Sequence, residues 1–165
     1  MYNNLRQTAF DRPVDIYIQN NTDKDFQLFK TDLQSGILTI DPPSIIKAGT
    51  TARFKGDQSG LVGSSGYITY KFNYSNFDAY VSFYWSHPEG ATASIYFGYS
   101  SPYGLLFITP KNNLDPNQRA TQQHAHVKDW ITNEVVDQKL LELNPTGKVQ
   151  SITYLVQYSL SHGAI

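Results

Sequence analysis

The sequence predicts an all-β fold, an antiparallel β-sandwich formed as a single domain by residues 1–165. Apolar and polar residues alternate with a period of two in several segments, and glycine and proline separate those segments. The composition is rich in rings and poor in charge, with 12 tyrosines, 9 phenylalanines and 16% charged residues. Aromatic residues favour strands, and short strands separated by turns are typical of a β-sandwich.

The first half of the chain contains three predicted strand segments. Apolar positions alternate over residues 14–18, and this strand ends at the polar turn of residues 20–23. A second strand begins at residues 26–29. Residues 41–43 read Asp-Pro-Pro and lack two successive amide donors, which predicts an edge or crossing loop. Extended structure resumes over residues 51–55.

A ring-rich β-hairpin is the strongest local signal. Glycines at positions 60, 63 and 66 precede it, and we expect them to allow positive φ. Alternation over residues 67–72 predicts the first arm and alternation over 81–85 the second, joined by a polar connection at residues 73–78. A proline and glycine corner at residues 88–90 ends the second arm.

The last third contains more strands and an insertion of about residues 109–147. Apolar runs at 94–97 and 105–108 predict two strands, and alternation over 149–158 predicts the closing strand. Within the insertion, Asp115 and Pro116 match a helix start. Apolar residues then recur at three- and four-residue intervals, which predicts a helix within residues 118–143. We therefore expect a helical or irregular insertion before the last strand.

Fourteen aromatic residues lie between Tyr67 and Phe107, and alternation directs about half of them outward. Rings with polar tips suit binding sites and membrane interfaces. The candidates for an exposed contact surface are Tyr67, Tyr80, Tyr84, Tyr99 and Tyr103. The alternative is a sandwich core with scattered surface tyrosines.

The corner after the second arm supplies three further candidates, Trp85, Ser86 and His87. The Trp85 indole either inserts into a headgroup layer or plugs the end of the sandwich. The sequence leaves these two alternatives open.

Several classes of function are disfavoured by what the sequence lacks. A net charge of −1 without a basic block argues against nucleic-acid binding, and the absence of cysteine excludes disulfides. Residues 1–10 lack the apolar core of a signal peptide, and no apolar run could span a bilayer. His124, His126 and Asp129 would not converge on a metal in a helix, and no nucleophile motif or carboxylate pair stands out. We expect no catalysis, cofactor or metal.

Several short motifs resemble the aegerolysin family in their order and spacing. These motifs are the opening segment of residues 12–22, the glycine spacing at 60, 63 and 66, the Trp-x-x-Pro-x-Gly corner of residues 85–90, and the closing strand of residues 149–158. The resemblance is strongest to the bacterial branch, which includes the small component of binary crystal insecticidal toxins. His87 and Glu89 stand where fungal members carry a cysteine and a second tryptophan. The insertion is also longer than the family's.

This resemblance implies a non-enzymatic toxin component that binds a membrane lipid or surface receptor and acts with a larger pore-forming or insecticidal partner. In similar proteins the corner at Trp85 lies on the side associated with lipid recognition. The resemblance also implies synthesis without a signal peptide, in a bacterial cytoplasm or inclusion, with release to act at the target-cell membrane. Two alternatives stay open: an autonomous cytolysin similar to actinoporins, which share the sandwich, and a lectin-like module. The sequence specifies neither the lipid or receptor, nor the partner, nor self-association.

Overall fold

The computed structural model describes residues 12–60, 62–90, 92–115, 124–128, 133, 135–145 and 149–159. All regular structure within these residues is β. The strands in chain order are β1 Val14–Asn20, β2 Phe26–Ser35, β3 Ile37–Ile40, β4 Ile45–Ile46, β5 Thr51–Asp57, β6 Ser64–Tyr74, β7 Phe77–His87, β8 Ser94–Ser101, β9 Leu106–Asn112, β10 His124–Lys128, β11 Val135–Lys139, β12 Leu141–Leu143 and β13 Gln150–Tyr158.

Two packed sheets form the β-sandwich that the sequence predicts. One has five strands in the order β3-β5-β1-β13-β9, and the other has six in the order β12-β8-β7-β6-β2-β4. Among the strands of these two sheets, β1 and β13 pair in parallel and the other neighbours are antiparallel. The fold-class prediction is confirmed.

The core lies between the inner faces of the two sheets. Alternation sends Ile16 and Ile18 of β1 and Tyr154 of β13 inward from the five-stranded sheet, and all three are fully buried. Ile68 and Phe83 enter the same core from the six-stranded sheet. Burial of such apolar side chains is the main favourable term in folding, and here it requires both sheets at once.

The helix predicted within residues 118–143 is wrong where the structure describes that segment. Strands β10 and β11 pair antiparallel, with His126 opposite Asp137, and β12 extends the six-stranded sheet through Leu141 opposite Tyr96. The apolar residues that suggested a helical period belong to different strands. Val127 lies in β10, with a β-branched side chain that favours extended structure. Pro116, Trp130 and Ile131 lie outside the described residues.

The β6–β7 hairpin is confirmed, with a shorter connection than predicted. Only Ser75 and Asn76 join the arms, and both have positive φ, at 48° and 69°. A two-residue turn with positive φ at both positions matches the twist of the flanking strands. Of the three glycines before the hairpin, Gly60 alone has the expected positive φ. The other two make room for close neighbours: a Cβ on Gly63 would lie 2.5 Å from the His87 carbonyl oxygen, and one on Gly66 would lie 2.7 Å from that of Asp32.

The strand directions define two ends of the sandwich. The hairpin end carries the Ser75–Asn76 turn, the end of β13 and the segment between β8 and β9. The corner end carries the end of β7, the start of β8 and the start of β13.

Candidate functional site

Trp85 is fully buried at the corner end and plugs the sandwich there. Its ring packs edge-on against Phe54 with centroids 5.2 Å apart, and its Nε1 donates a hydrogen bond to Ser64 Oγ at 3.0 Å. A Cβ on Gly66 would lie 2.8 Å from the indole, and one on Gly56 would lie 2.4 Å from Ser64 Oγ. These two glycines leave the space that the ring occupies.

The rest of the corner is also held inside the structure. His87 is fully buried, with its Nδ1 3.1 Å from Ser94 Oγ, and Ser86 is half-buried. Arg12 fastens the loop beyond by donating from Nη1 to the Pro88 carbonyl at 2.9 Å. Neither Trp85 nor His87 reaches the surface, so burial contradicts their choice as candidate membrane-contact residues. Of the two alternatives for the Trp85 indole, the structure therefore has the ring that plugs the end of the sandwich.

Four of the predicted tyrosines do share one face. We define the outer aromatic face as the rings on the six-stranded sheet that point away from the core: Phe29, Tyr67, Tyr80, Tyr84, Phe97 and Tyr99. Alternation places them there because their neighbours Ile68, Phe83 and Trp85 point into the core. Outer faces of sandwiches are ordinarily polar, so a row of rings there suggests a contact surface.

This face changes from covered to open across the sheet. Phe97 and Tyr99 on β8 are buried and form a second apolar cluster with Leu140, so the predicted exposure of Tyr99 is wrong. Tyr67 and Tyr84 are half-buried, and burial, with smaller contributions from Tyr84 and Asp32, raises the pKa of Tyr67 to about 12.

On the same face nearer the hairpin end, Phe29 and Tyr80 form a second ring contact. Tyr80 is half-buried, and its ring lies 4.9 Å from that of Phe29, which a bulge in β2 leaves 47% exposed.

The hairpin end carries three further exposed rings. Phe77 is 43% exposed, Phe107 50% and the predicted Tyr103 52%. The Tyr74 ring lies 5.8 Å from that of Phe77 and 6.2 Å from that of Tyr158 across the two sheets. The sequence prediction omits Phe77 because residues 73–78 predict one polar loop. It omits Phe107 because the continuous apolar run of residues 105–108 does not distinguish an exposed position from a buried one. The Ser-Asn pair, which tolerates positive φ, is the signal that could have placed Phe77 at a strand start.

The described residues meet the requirements of neither a metal site nor a membrane-spanning helix. Among them, no group of three or more His, Asp and Glu residues is placed to hold a metal ion. No helix within the described part of the chain has the length and apolar character needed to cross a membrane. His124 and His126 lie in β10, and their side chains, like Asp129, fall outside what the structure describes.

Comparison with known proteins supports the fold. No protein-family model matches the chain, and no curated protein sequence matches it. A solved structure does: the crystal structure of the lipid binding protein Nakanori, with a TM-score of 0.59 and 10% sequence identity, over 94% of this chain and 76% of that one. At this identity, the likeness shows that the two chains share a β-sandwich fold.

Proposed function

We propose that this protein binds membrane lipid without catalysis, and that the exposed rings of the hairpin end make the contact. The observation that carries the proposal is the grouping of Phe77, Tyr103 and Phe107 at one end of a sandwich whose fold is shared with a lipid-binding protein. Aromatic rings can insert into the headgroup layer of a membrane, and a tyrosine ring can do so while its hydroxyl stays in water.

The exposed area is sufficient for measurable binding. Full burial of a large apolar side chain contributes about 1.5–3 kcal/mol. Each of the three rings is already about half buried, so transfer of the remainder contributes roughly 1 kcal/mol per ring. Three rings together contribute about 3 kcal/mol, or roughly a hundredfold in partitioning.

Electrostatics contributes little to this contact. The chain has 13 basic and 14 acidic residues, and Lys47 pairs with Asp25 at 3.5 Å in the loops of the hairpin end. Because the sequence contains no block of basic residues, we expect no strong attraction to anionic lipid. Binding should therefore depend only weakly on salt and on phosphatidylserine content.

The finer proposal follows from the resemblance to the bacterial aegerolysins. We infer a toxin component that binds a lipid or receptor on the target cell and acts with a larger pore-forming or insecticidal protein, after synthesis without a signal peptide in a bacterial cytoplasm or inclusion. The motifs of residues 12–22 and 85–90 support it. The autonomous cytolysin is the rival, and dye release separates the two.

Vesicle flotation tests the lipid contact. We expect Phe77→Ala to weaken binding about fivefold and the triple Phe77→Ala, Tyr103→Ala and Phe107→Ala variant about a hundredfold. The panel is phosphatidylcholine alone and with phosphatidylserine, sphingomyelin or sterol.

A matched control uses the exposed apolar residues of the corner end. Val62, Leu114 and Val149 are 54%, 61% and 44% exposed, and their joint replacement by alanine should leave flotation unchanged. Equal losses in both triple variants, or binding by none of the vesicles, would contradict the proposal. Vesicles that bind the protein should also retain an encapsulated dye, and dye release by the protein alone would favour the autonomous cytolysin.

A further inference from the structure

We propose that Tyr67 and Tyr84 on the outer aromatic face form a platform for a neutral pyranose of a cell-surface glycan, with Asp32 accepting hydrogen bonds from its hydroxyls. This site lies on the flat face of the six-stranded sheet and uses none of the three hairpin-end rings. It is therefore independent of the proposed membrane contact.

The three side chains lie in one row across three strands. Asp32 of β2 is opposite Tyr67 of β6, and Tyr67 is opposite Tyr84 of β7. The two rings are 4.7 Å apart between centroids and inclined at 47°, and both are half-buried. Asp32 is exposed and lies opposite Tyr67 in the strand register. Burial is the main cause of the raised pKa of Tyr67, and the charges of Tyr84 and then Asp32 add smaller contributions.

The row is flanked by hydroxyl groups. On its corner side, the Oγ atoms of Ser35 and Ser65 lie 2.7 Å apart, with Ser86 opposite Ser65 on the next strand. On its other side, Thr69 and Ser82 form a buried hydroxyl pair at 2.7 Å. On β6 and β7, the residues on either side of the two rings are thus hydroxyl side chains.

This set of groups matches the chemistry of a sugar. One face of a pyranose presents C–H groups that carry partial positive charge and stack on the electron-rich face of an aromatic ring. Its edge presents hydroxyls, and a carboxylate is the strongest acceptor for two of them. The same carboxylate would repel a sialic acid or sulfate group, so the ligand class is a neutral sugar.

The platform is rigid before any ligand arrives. Tyr84 stacks on the buried Phe97 with centroids 4.8 Å apart and planes 24° apart, and its backbone carbonyl accepts a hydrogen bond from the buried Tyr154 hydroxyl. A preformed surface loses little side-chain entropy on binding.

The platform is also far from the hairpin end. Tyr67 is seven residues before Tyr74 along β6, which corresponds to about 23 Å at the rise of a strand. A protein anchored by the hairpin end therefore holds this face above the headgroups. A glycan that extends from the cell surface could reach it there.

Saturation-transfer NMR with the methyl glycosides of glucose, galactose, mannose, fucose, N-acetylglucosamine and N-acetylgalactosamine tests the proposal on the full chain. We expect at least one glycoside to bind with a dissociation constant on the order of 1 mM, as a single-sugar contact would. Asp32→Asn and Tyr67→Ala should each reduce its affinity at least tenfold, whereas Tyr67→Phe should retain it within about threefold because the ring remains.

Tyr17→Ala is the matched control, because Tyr17 is a half-buried tyrosine on the outer face of the other sheet. It should leave sugar binding unchanged, and thermal unfolding checks that every variant is folded. The proposal would be overturned if none of the six glycosides bound at about 20 mM, which is 20 times the expected dissociation constant. It would also be overturned if neither Asp32→Asn nor Tyr67→Ala changed the affinity of a glycoside that does bind. The Asp32→Asn variant should bind vesicles in the flotation assay as well as the unaltered protein does. Loss of sugar binding and loss of lipid binding can therefore be told apart.

Discussion

Trp85→Ala gives the sharpest test of where this indole acts. The side chain is fully buried and packed on Phe54, so its removal leaves a cavity in the corner end of the core. Replacement of a buried tryptophan by alanine costs about 3–5 kcal/mol. The loss of the Nε1 hydrogen bond, which leaves Ser64 Oγ without that donor, adds about 1 kcal/mol.

Urea unfolding followed by circular dichroism measures this loss. With a total of about 4–6 kcal/mol and an m-value of about 2 kcal/mol/M, the midpoint should fall by about 2–3 M. The melting temperature should fall by about 10–20 °C, since each kcal/mol corresponds to roughly 2–4 °C in a domain of this size. Such losses approach the whole stability of an ordinary domain.

Two other substitutions, at Trp85 and at Phe77, serve as controls for this loss of stability. Trp85→Phe retains most of the packing and should lose less than half as much, whereas Phe77→Ala at the exposed hairpin end should cost about 1 kcal/mol or less. If Trp85→Ala instead kept its urea midpoint within about 0.3 M while vesicle binding fell tenfold, the indole would be a membrane contact and its burial would be incorrect.

Two further predictions concern the packing around these rings. Gly66→Ala should destabilise the protein by about 1–3 kcal/mol in urea unfolding. The reason is that the added Cβ would lie 2.7 Å from the Asp32 carbonyl oxygen and 2.8 Å from the Trp85 indole. An unchanged urea midpoint would show that these neighbours can move away from the Cβ without loss of stability. The Tyr67 phenol should ionise near pH 12 rather than 10, as read by its ring NMR shifts. Because the folded state favours the neutral Tyr67 phenol, this group contributes to stability below pH 10, and the contribution is lost as the pH rises through about 12. Ionisation of Tyr67 at pH 10 would mean that its ring is solvated.

The sequence determined the fold class because strand alternation is a local property. Residues 14–18, 67–72 and 81–85 alternate with a period of two, and each became part of a strand with the expected residues inside. The same parity correctly directed Tyr67 and Tyr84 away from the core, and the strand register places Tyr80 and Tyr99 on the same face. A short run of residues contains this information, and no distant contact is needed to read it.

The tertiary structure decided which of those residues reach solvent, since exposure depends on what packs above a face. Tyr99 points outward with Tyr84, yet only Tyr99 is buried, because Leu140 from a distant part of the chain packs in its cluster. Trp85 ends a strand in the sequence, and only its pairing with β6 and the opposite sheet shows that it closes the core. In the insertion, apolar residues three and four apart predict one helix face, whereas Val127, Val135 and Leu141 lie in the separate strands β10, β11 and β12. Of these strands, β12 is held by pairing with the distant β8, which the local sequence does not reveal.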